Sequence, residues 1–292
     1  MQMYWAFYIS SNKNKFTYLS IMFEIHIIES GYIFADGGAM FGAIPKRAWS
    51  RKYGVDADNR CRLAMRCVLA VSDDRKILID LGMGDKNNEI FAYYEPHELK
   101  NIENEINKLG YNASDITDVI LTHLHFDHCG YSTRKDKDGR IMPSFPNARY
   151  WLSRKQWMNL LRPNLLEADS LIADNILPVY DAGQLNMIDE DIELCDTMHL
   201  KLFDGHTEGQ LVAYIKTNNG LFVFPGDVVP TASHAALEWI SAYDINALSS
   251  LNEKKRLLEE VVNNDYTLIY CHDEKVQMSK VKRLNDNYKA EL

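Results

Sequence analysis

The chain has 292 residues, of which 46% are hydrophobic and 25% charged, the balance of a globular protein with a sizeable core. Its formal net charge is −9 and no block of Lys or Arg is long enough to outline a phosphate-binding groove, which disfavours nucleic acid as a partner. Five cysteines without a CxxC spacing, and no segment of transmembrane length, indicate a reduced cytoplasmic protein rather than a disulfide scaffold or a membrane protein.

The first 21 residues differ in character from the rest of the chain. The opening MQMYWAFYIS is apolar but short, and it lacks the basic start and the small-residue cleavage site of a signal peptide. We therefore expect residues 1–21 to be a poorly ordered extension, and residues 22–292 to form a single domain.

In the first half of the chain, runs rich in β-branched and aromatic residues predict strands bounded by polar turns. The predicted elements are a strand in FEIHIIESGYIFADGG (23–38) closed by a turn at Gly37 and Gly38, strands in AMRCVLAVS (64–72) and KILIDLG (76–82), a helix in EPHELKNIENEINKLG (95–110), and a strand at 118–122. The helix is predicted because Leu99, Ile102, Ile106 and Leu109 recur at helical spacing.

The second half of the chain mixes the same two kinds of element. They are a charged surface loop in STRKDKDGR (132–140), a strand in ARYWLS (148–153), a helix in SRKQWMNLL (153–161), strands in HLKLFDG (199–205), QLVAYIKT (210–217) and LFVFPGD (221–227), a helix over about 247–262, a strand in YTLIYCH (266–272) and a charged C-terminal helix. Because strands and helices mix without a flexible linker, we predict one α/β domain with two sheets covered by helices.

The segment VILTHLHFDHCG (119–130) places three histidines and an aspartate directly after an apolar strand. Residues two apart in an extended chain point the same way, so His123 and His125 can face one point, with Asp127 on that side and His128 turning in from the loop. Imidazole and carboxylate groups are natural ligands of zinc and similar divalent ions. Four such groups exceed what one tetrahedral ion usually draws from a single segment, so the pattern predicts two metal ions.

Three further residues of ligand type follow apolar strands elsewhere in the chain. His206 comes after LKLFDG, Asp227 after LFVFPG and His272 after TLIYC. Open α/β proteins carry their functional groups where strands end, so we expect these side chains to complete the site. Either histidine alone would more often be structural. The cluster at 123–128 favours ligation, because unpaired buried imidazoles and carboxylates are costly.

Several other residues of ligand type have structural interpretations. Structural roles are expected for His26, His97 and His199. His234 is the exception, because it follows Asp227 closely enough to line a pocket. Cys129 and Cys271 each adjoin a candidate histidine, but in an extended chain they would point away from the site, so we expect them to pack in the core.

Together these residues resemble the metallo-β-lactamase superfamily, whose hydrolases carry an H-x-H-x-D-H motif followed by a later His, a bridging Asp and a final His. The resemblance extends from about Met22 to the C-terminus. It implies an αββα sandwich of two mixed β-sheets flanked by helices, with the site at one edge between the sheets. The segment ILIDLG is similar to the Asp-x-Gly strand end of that superfamily, which makes Asp80 a candidate support for the ligand loop.

The resemblance also implies how the ligands are shared. One ion would be held by His123, His125 and His206, and the second by Asp127, His128 and His272, with Asp227 bridging the two. The implied cofactors are two divalent ions, with Zn²⁺ expected, and a bridging hydroxide would attack an ester or lactone carbonyl. Asp127 is then the expected catalytic residue, as the proton shuttle to the leaving group.

Two segments, DGGAMFGAIPKRAW (36–49) and GDVVPTASHAALEWISAYD (226–244), are most similar to the branch that contains N-acyl homoserine lactone lactonases and methyl parathion hydrolase-like phosphotriesterases. A quorum-quenching lactonase is therefore the expected function. The residues expected to line the substrate pocket are Met40, Phe41, Ile44, Trp49 and His234. One position departs from the lactonases, which place a substrate-contacting Tyr three residues beyond the bridging Asp, whereas this chain has Pro230 there.

Other activities share the same ligand set. A phosphotriesterase or another esterase would differ only in the pocket, a glyoxalase II-like thioesterase is disfavoured because no basic C-terminal patch for glutathione is present, and a true β-lactamase usually lacks the bridging Asp. An iron redox enzyme in the same fold and a metal-stabilised binding or nuclease-like module are alternatives from other classes. The expected partner is a small lactone or ester, with neither nucleic acid nor membrane, and the sequence leaves open whether the chain is a homo-oligomer.

Overall fold

The computed structural model describes residues 22–292, so the extension expected at residues 1–21 lies outside the described residues. In chain order the strands are β1 (Glu24–Asp36), β2 (Arg60–Val71), β3 (Lys76–Ile79), β4 (Asp118–Ile120), β5 (Thr133–Lys135), β6 (Ile141–Pro143), β7 (Arg149–Ser153), β8 (Leu185–Ile188), β9 (Ile192–Cys195), β10 (Met198–Phe203), β11 (Gln210–Thr217), β12 (Gly220–Phe224), β13 (Thr267–Ile269), β14 (Met278–Ser279), β15 (Val281–Leu284) and β16 (Asn287–Ala290).

The α-helices between these strands are mostly short. They are α1 (Gly37–Phe41), α2 (Lys46–Trp49), α3 (Ile102–Lys108), α4 (Phe126–Cys129), α5 (Arg154–Leu161), α6 (Leu177–Asp181) and α7 (Ala247–Asn263). The helix predicted after Ser153 forms as expected, because the Ser153 side chain caps its first turn by accepting a hydrogen bond from the Gln156 backbone N–H.

The strands form two six-stranded sheets, both of them mixed. The first sheet has the order β1-β2-β3-β4-β7-β8 and the second the order β14-β13-β12-β11-β10-β9. In the first sheet β3, β4, β7 and β8 run parallel, while β1 and β2 are antiparallel neighbours. In the second sheet β12 and β13 are parallel, and the other pairings are antiparallel.

Alternation along the strands sends successive side chains into different cores. In β4, Val119 packs with α3, α5 and α6 on the outer face of the first sheet, whereas Ile120 packs between the two sheets. In β11, Ala213 lies between the sheets and Val212 packs under α7 on the far side. The layers therefore run helix, sheet, sheet, helix, which confirms the expected αββα sandwich.

The helix expected over 95–110 is shorter than its pattern suggested. It begins at Ile102, where Asn101 caps it by accepting a hydrogen bond from the Asn104 backbone N–H. Upstream, Glu95 and Glu98 have φ values of 44° and 51°, a left-handed conformation that breaks a right-handed helix. Helical spacing alone was therefore misleading between Pro96 and Lys100.

Three other local predictions need correction. The Gly37 and Gly38 turn is the start of helix α1, capped by the Asp36 side chain. The charged segment 132–140 contains strand β5, which pairs with β6. The charged C-terminus forms the β15-β16 hairpin instead of a helix. In β16 the buried Tyr288 and Ala290 flank the exposed Lys289, a period of two rather than 3.6, and in β15 Val281 is the buried residue.

Within residues 22–292, none of the helices combines the length and the apolar character that crossing a bilayer requires.

Candidate metal centre

The predicted ligand residues follow the ends of strands in both sheets. His123 and His125 come just after β4 of the first sheet. In the second sheet His206 follows β10, and Asp227 and His272 follow β12 and β13. Since all these strands end at one edge of the sandwich, the seven residues predicted from the sequence are brought together there, although they span about 150 positions of the chain.

Three imidazoles form the first group. One ring nitrogen from each of His123, His125 and His206 lies within 4.8 Å of the others. The Nε2 atom of His206 is 3.2 Å from Nδ1 of His125. All three residues are buried, and their arrangement could hold one metal ion.

The second group joins Asp127, His128 and His272. Nε2 of His272 lies 3.1 Å from Nε2 of His128 and 3.5 Å from Oδ2 of Asp127. Asp227 lies between the two groups: its Oδ1 is 3.3 Å from His128 and 3.1 Å from His272, and its Oδ2 is 3.4 Å from His206. The two oxygens of one carboxylate thus face two separate ligand groups, the geometry that a bridging ligand requires.

Each histidine of the centre is also held by its other ring nitrogen. The partners are Thr122 Oγ1 for His123 at 2.9 Å, Glu167 Oε1 for His125 at 3.2 Å, Asp80 Oδ2 for His128 at 2.8 Å, Asp244 Oδ1 for His206 at 2.9 Å and the Ala64 carbonyl for His272 at 2.7 Å. A partner on the outer nitrogen fixes the ring and leaves the inner nitrogen free to coordinate, as metal-binding histidines require.

His123 provides the test of whether a cation fits. Its Nε2 is fully buried and has no hydrogen-bond partner among the described residues. Burial, together with the neighbouring His128 and His125, lowers the pKa of His123 well below its usual value, so the ring is neutral. A neutral imidazole with a free lone pair is the form that binds a divalent ion, whereas leaving it unpaired in the interior is costly.

The charges of the other ligand residues also favour a bound cation. Burial alone would lower the pKa of His128, but Asp227 and Asp127 outweigh it and raise that pKa well above the usual value. Burial alone would raise the pKa of Asp227, but His272, His128 and His206 hold it well below its usual range. The buried carboxylates therefore attract positive charge to this point, and divalent ions would satisfy them without protonating the imidazoles.

Asp80 lies directly beneath the ligand loop, where the sequence placed it. Its carboxylate accepts hydrogen bonds from the backbone N–H and the hydroxyl of Thr122, both at 2.8 Å, besides its contact with His128. The residue has a φ of 54°, which is unusual for a side chain other than glycine. This conformation is sustained by the three contacts that Asp80 makes with the loop.

Sequence reasoning missed two carboxylates that support the site, Glu167 and Asp244. Glu167 is buried and accepts hydrogen bonds from His125, Asn159 and Asn164. Both carboxylates lie in irregular segments far in sequence from the histidines they contact, so neither spacing nor periodicity marked them.

A small cavity of about 70 Å³ opens directly onto the centre. Its lining includes Asp127, Asp227, His125, His206 and His272 from the centre, and Ile33, Met40, Leu63, Tyr94, Phe126, Leu166 and Tyr243 from the surrounding wall. The site therefore faces a mainly apolar wall that carries two phenol groups.

The predicted pocket residues are only partly in place. Met40 lines the cavity, but Phe41, Ile44, Trp49 and His234 do not. Phe41 stacks on Trp49 and on His234 in a buried aromatic cluster behind the wall. His234 is tied to the Thr231 hydroxyl at 2.7 Å and to the Met40 carbonyl at 3.0 Å, so its role in this structure is packing.

The two cysteines beside the ligands differ from each other. Cys129 donates to the Leu124 carbonyl at 3.3 Å and packs under the first sheet, as expected. Cys271 packs between the sheets, but its sulfur also lies 3.2 Å from Oδ1 of Asp227. The expectation that Cys271 points away from the site is therefore wrong, because the chain is no longer extended beyond β13, which ends at Ile269.

We expect Glu167→Gln to make the metal-free protein less sensitive to acid. Burial alone would raise the pKa of Glu167, but hydrogen bonds, chiefly from His125, lower it from 4.5 to about 2. Its ionised form therefore stabilises the fold above about pH 4.5, and this contribution is lost as the pH falls toward 2. Between about pH 6 and pH 3, urea unfolding should show the parent losing about 2 kcal/mol more than the variant.

The matched control is Glu193→Gln. Glu193 also pairs with a histidine, His199, at 3.7 Å, but its side chain is 75% exposed. This variant should lose as much stability in acid as the parent. If Glu167→Gln does the same, the carboxylate does not support the fold through His125.

The family model described as "Metallo-beta-lactamase superfamily" matches residues 66–272. An N-acyl homoserine lactonase of Bacillus thuringiensis is 26% identical over 240 residues, which cover 77% of this chain and 87% of that protein. Among solved structures, a probable metal-dependent hydrolase from Staphylococcus aureus is 25% identical with a TM-score of 0.84, covering 94% of this chain and 99% of the other. AidC, a dizinc quorum-quenching lactonase in complex with a product, is 21% identical with a TM-score of 0.74, covering 94% and 95% of the two chains.

Proposed function

The chain belongs to the metallo-beta-lactamase superfamily and is a hydrolase of that family, and we propose that it opens a lactone or ester, with N-acyl homoserine lactones as the best candidate substrates. The observation that carries the proposal is the pair of ligand groups with the Asp227 carboxylate between them, its Oδ2 at 3.4 Å from His206 and its Oδ1 at 3.3 and 3.1 Å from His128 and His272, beside a cavity with a mainly apolar wall. The similarity to the Bacillus thuringiensis lactonase supports the choice of substrate class.

Seven residues would hold two divalent ions, with zinc as the expected metal. They are His123, His125 and His206 in the first group, and Asp127, His128 and His272 in the second, with Asp227 shared. When bound, such ions make water nucleophilic near neutral pH and polarise a carbonyl. The protein contributes the fixed ring orientations described above and the wall that places the substrate.

Asp127 is the group best placed to move a proton. Its side chain is 13% exposed, lines the cavity and lies within 4 Å of Nε2 of both His128 and His272. A carboxylate in this position can accept the proton of the attacking water and pass it to the leaving alkoxide. Ring opening then leaves a hydroxyl on one product end and a carboxylate on the other, with net release of a proton.

The wall of the cavity is suited to an acyl chain. Ile33, Met40, Leu63 and Phe126 present apolar surface beside the centre. Burying apolar substrate surface here would contribute roughly 25 cal/mol per Å². An ester or lactone with an apolar acyl group therefore fits the wall better than a charged substrate does.

The position where the lactonases carry a substrate-contacting Tyr is occupied here by Pro230. Its side chain has no donor, and its carbonyl accepts the His272 backbone N–H at 2.9 Å. We assign the substrate-carbonyl contact instead to Tyr243, which lines the cavity and whose hydroxyl has no partner among residues 22–292. Burial raises the pKa of Tyr243, with Tyr94 adding to the shift, so the phenol stays protonated and able to donate.

Tyr243→Phe is expected to lower kcat/KM for a lactone about tenfold, the loss of one hydrogen bond of about 1.4 kcal/mol. The control is Tyr93→Phe, since Tyr93 is 78% exposed and lies outside the cavity lining. Steady-state kinetics that show equal kcat/KM values for the two variants would remove Tyr243 from the proposal.

The proposal as a whole is tested by proton release. Zinc-loaded protein given a long-chain N-acyl homoserine lactone should acidify a weakly buffered solution, and Asp127→Asn should slow this by about 10²-fold or more because it removes the proton acceptor. Metal analysis of both proteins shows whether the variant still binds its ions. If well-metallated parent protein releases no protons, the lactone proposal fails, and phosphotriesters and simple esters become the substrates to test.

A further inference from the structure

The Cys271 thiol contacts a carboxylate that the proposed mechanism requires. The residue is 1% exposed, and its sulfur lies 3.2 Å from Oδ1 of Asp227 and 3.3 Å from the Gly226 carbonyl. A third oxygen, the Pro230 carbonyl, is 3.9 Å away. All three neighbours are hydrogen-bond acceptors, and the thiol has one proton to donate, for which Oδ1 of Asp227 is the nearest acceptor and the only carboxylate among them. A ring nitrogen of His272 also lies within 4.8 Å of the sulfur.

The Asp227 oxygen that Cys271 contacts faces one of the two ligand groups. Oδ1 of Asp227 is the oxygen that faces His128 and His272, whereas Oδ2 faces His206. A hydrogen bond donated to Oδ1 therefore acts on the second ligand group and not on the first. Bonds to ionised acceptors are stronger than neutral ones, which offsets the weakness of sulfur as a donor.

We infer that Cys271 is a positioning residue, which fixes the Asp227 carboxylate by an S–H···O bond so that each oxygen serves one ligand group. This inference rests on the proposed two-ion centre. Without the donor, the carboxylate can rotate about its last bond, and its oxygens no longer remain divided between the groups. The metal held with His128 and His272 should then bind more weakly, and the metal held by the three imidazoles should bind as before.

The test compares metal affinities rather than activity. Metal-free parent and variant proteins are titrated with Co²⁺ alone, and the visible spectrum is followed through both binding steps. Cys271→Ala should weaken one of the two steps by about 10- to 100-fold, the usual cost of losing a contact behind a ligand, and leave the other unchanged. Cys271→Ser keeps a donor and should retain most of the affinity of the weakened step.

Cys67→Ala is the matched control for the change in packing. Cys67 is likewise a fully buried thiol; it lies on β2, packs on the outer face of the first sheet and belongs to neither ligand group. Its replacement creates a cavity of the same size, and both Co²⁺ affinities should equal those of the parent.

Three results would overturn the inference. Equal affinities in Cys271→Ala and the parent would show that the thiol only fills space. An intense near-ultraviolet sulfur-to-cobalt band in the parent, absent from Cys271→Ala, would show that Cys271 is itself a ligand. A parent protein that binds no Co²⁺ at all would defeat the proposed function, and the inference with it.

Discussion

Asp227→Ala is expected to abolish tight binding of at least one metal ion and to lower kcat/KM on the order of 10³-fold. The variant removes both oxygens that face the two ligand groups, at 3.1 to 3.4 Å from the ring nitrogens of His128, His272 and His206. Metal catalysis contributes several kcal/mol of transition-state stabilisation, and about 4 kcal/mol corresponds to this loss in rate. Metal content after gel filtration and steady-state kinetics on the same samples measure the two effects.

Asp189→Ala serves as the control for Asp227→Ala. Asp189 is also part of a close ionic contact, 2.7 Å from Arg154, but its side chain is 63% exposed and it belongs to neither ligand group. Exposed pairs contribute little, so metal content and kinetics should match those of the parent. An Asp227→Ala protein with two tightly bound ions would contradict the bridging role.

The second large effect is expected from Gly205→Ala, which should lower the free energy of unfolding by about 3 kcal/mol. A Cβ at this position would lie 2.4 Å from the backbone nitrogen of Ser250 and 2.5 Å from its Cα, distances that real side chains do not adopt. Ser250 belongs to α7, and the Asn246 backbone N–H binds the Gly205 carbonyl at 3.0 Å, so neither segment can move freely.

Urea unfolding of metal-free protein measures this effect, with Gly54→Ala as the control. A Cβ at Gly54 would have its nearest contact at 3.5 Å, with the end of the Glu274 side chain, so this variant should differ from the parent by less than about 0.5 kcal/mol. Equal unfolding midpoints for the two variants would show that α7 yields to the added methyl group. Because His206 directly follows Gly205, the variant that shifts this backbone should also weaken metal binding by the first group.

Several features of this protein follow from the sequence because they are local. Strand patterns, the Ser153 cap and the order of the ligand-type residues all depend on neighbours within a few positions. The cluster at His123, His125, Asp127 and His128 carries its own chemistry, and the strand ends before His206, Asp227 and His272 indicate which distant residues join it. The resemblance that these motifs carry extends to the αββα arrangement, which the structure bears out.

Local patterns were also the source of the errors. The 95–110 segment has helical spacing, but contacts between the His97 backbone and Tyr32 of β1 hold its first part extended. The charged C-terminus has few apolar residues, and it forms a hairpin because Val281 and Tyr288 pack with α7 against the second sheet. In both segments contacts with a distant element, backbone pairing in the first and side-chain packing in the second, outweigh the intrinsic preference of the chain.

Only the tertiary structure decided which groups surround the predicted ligands. Glu167 contacts His125 from 42 positions away in the sequence, and Asp244 contacts His206 from 38 positions away. Cys271 contacts Asp227 at a sequence separation of 44 positions. Nothing in the local sequence marks these partners, because their contacts exist only where the ends of the two sheets meet. The residue types and their order therefore predicted metal binding, whereas the orientation of those residues and the shape of the cavity depend on how the layers pack.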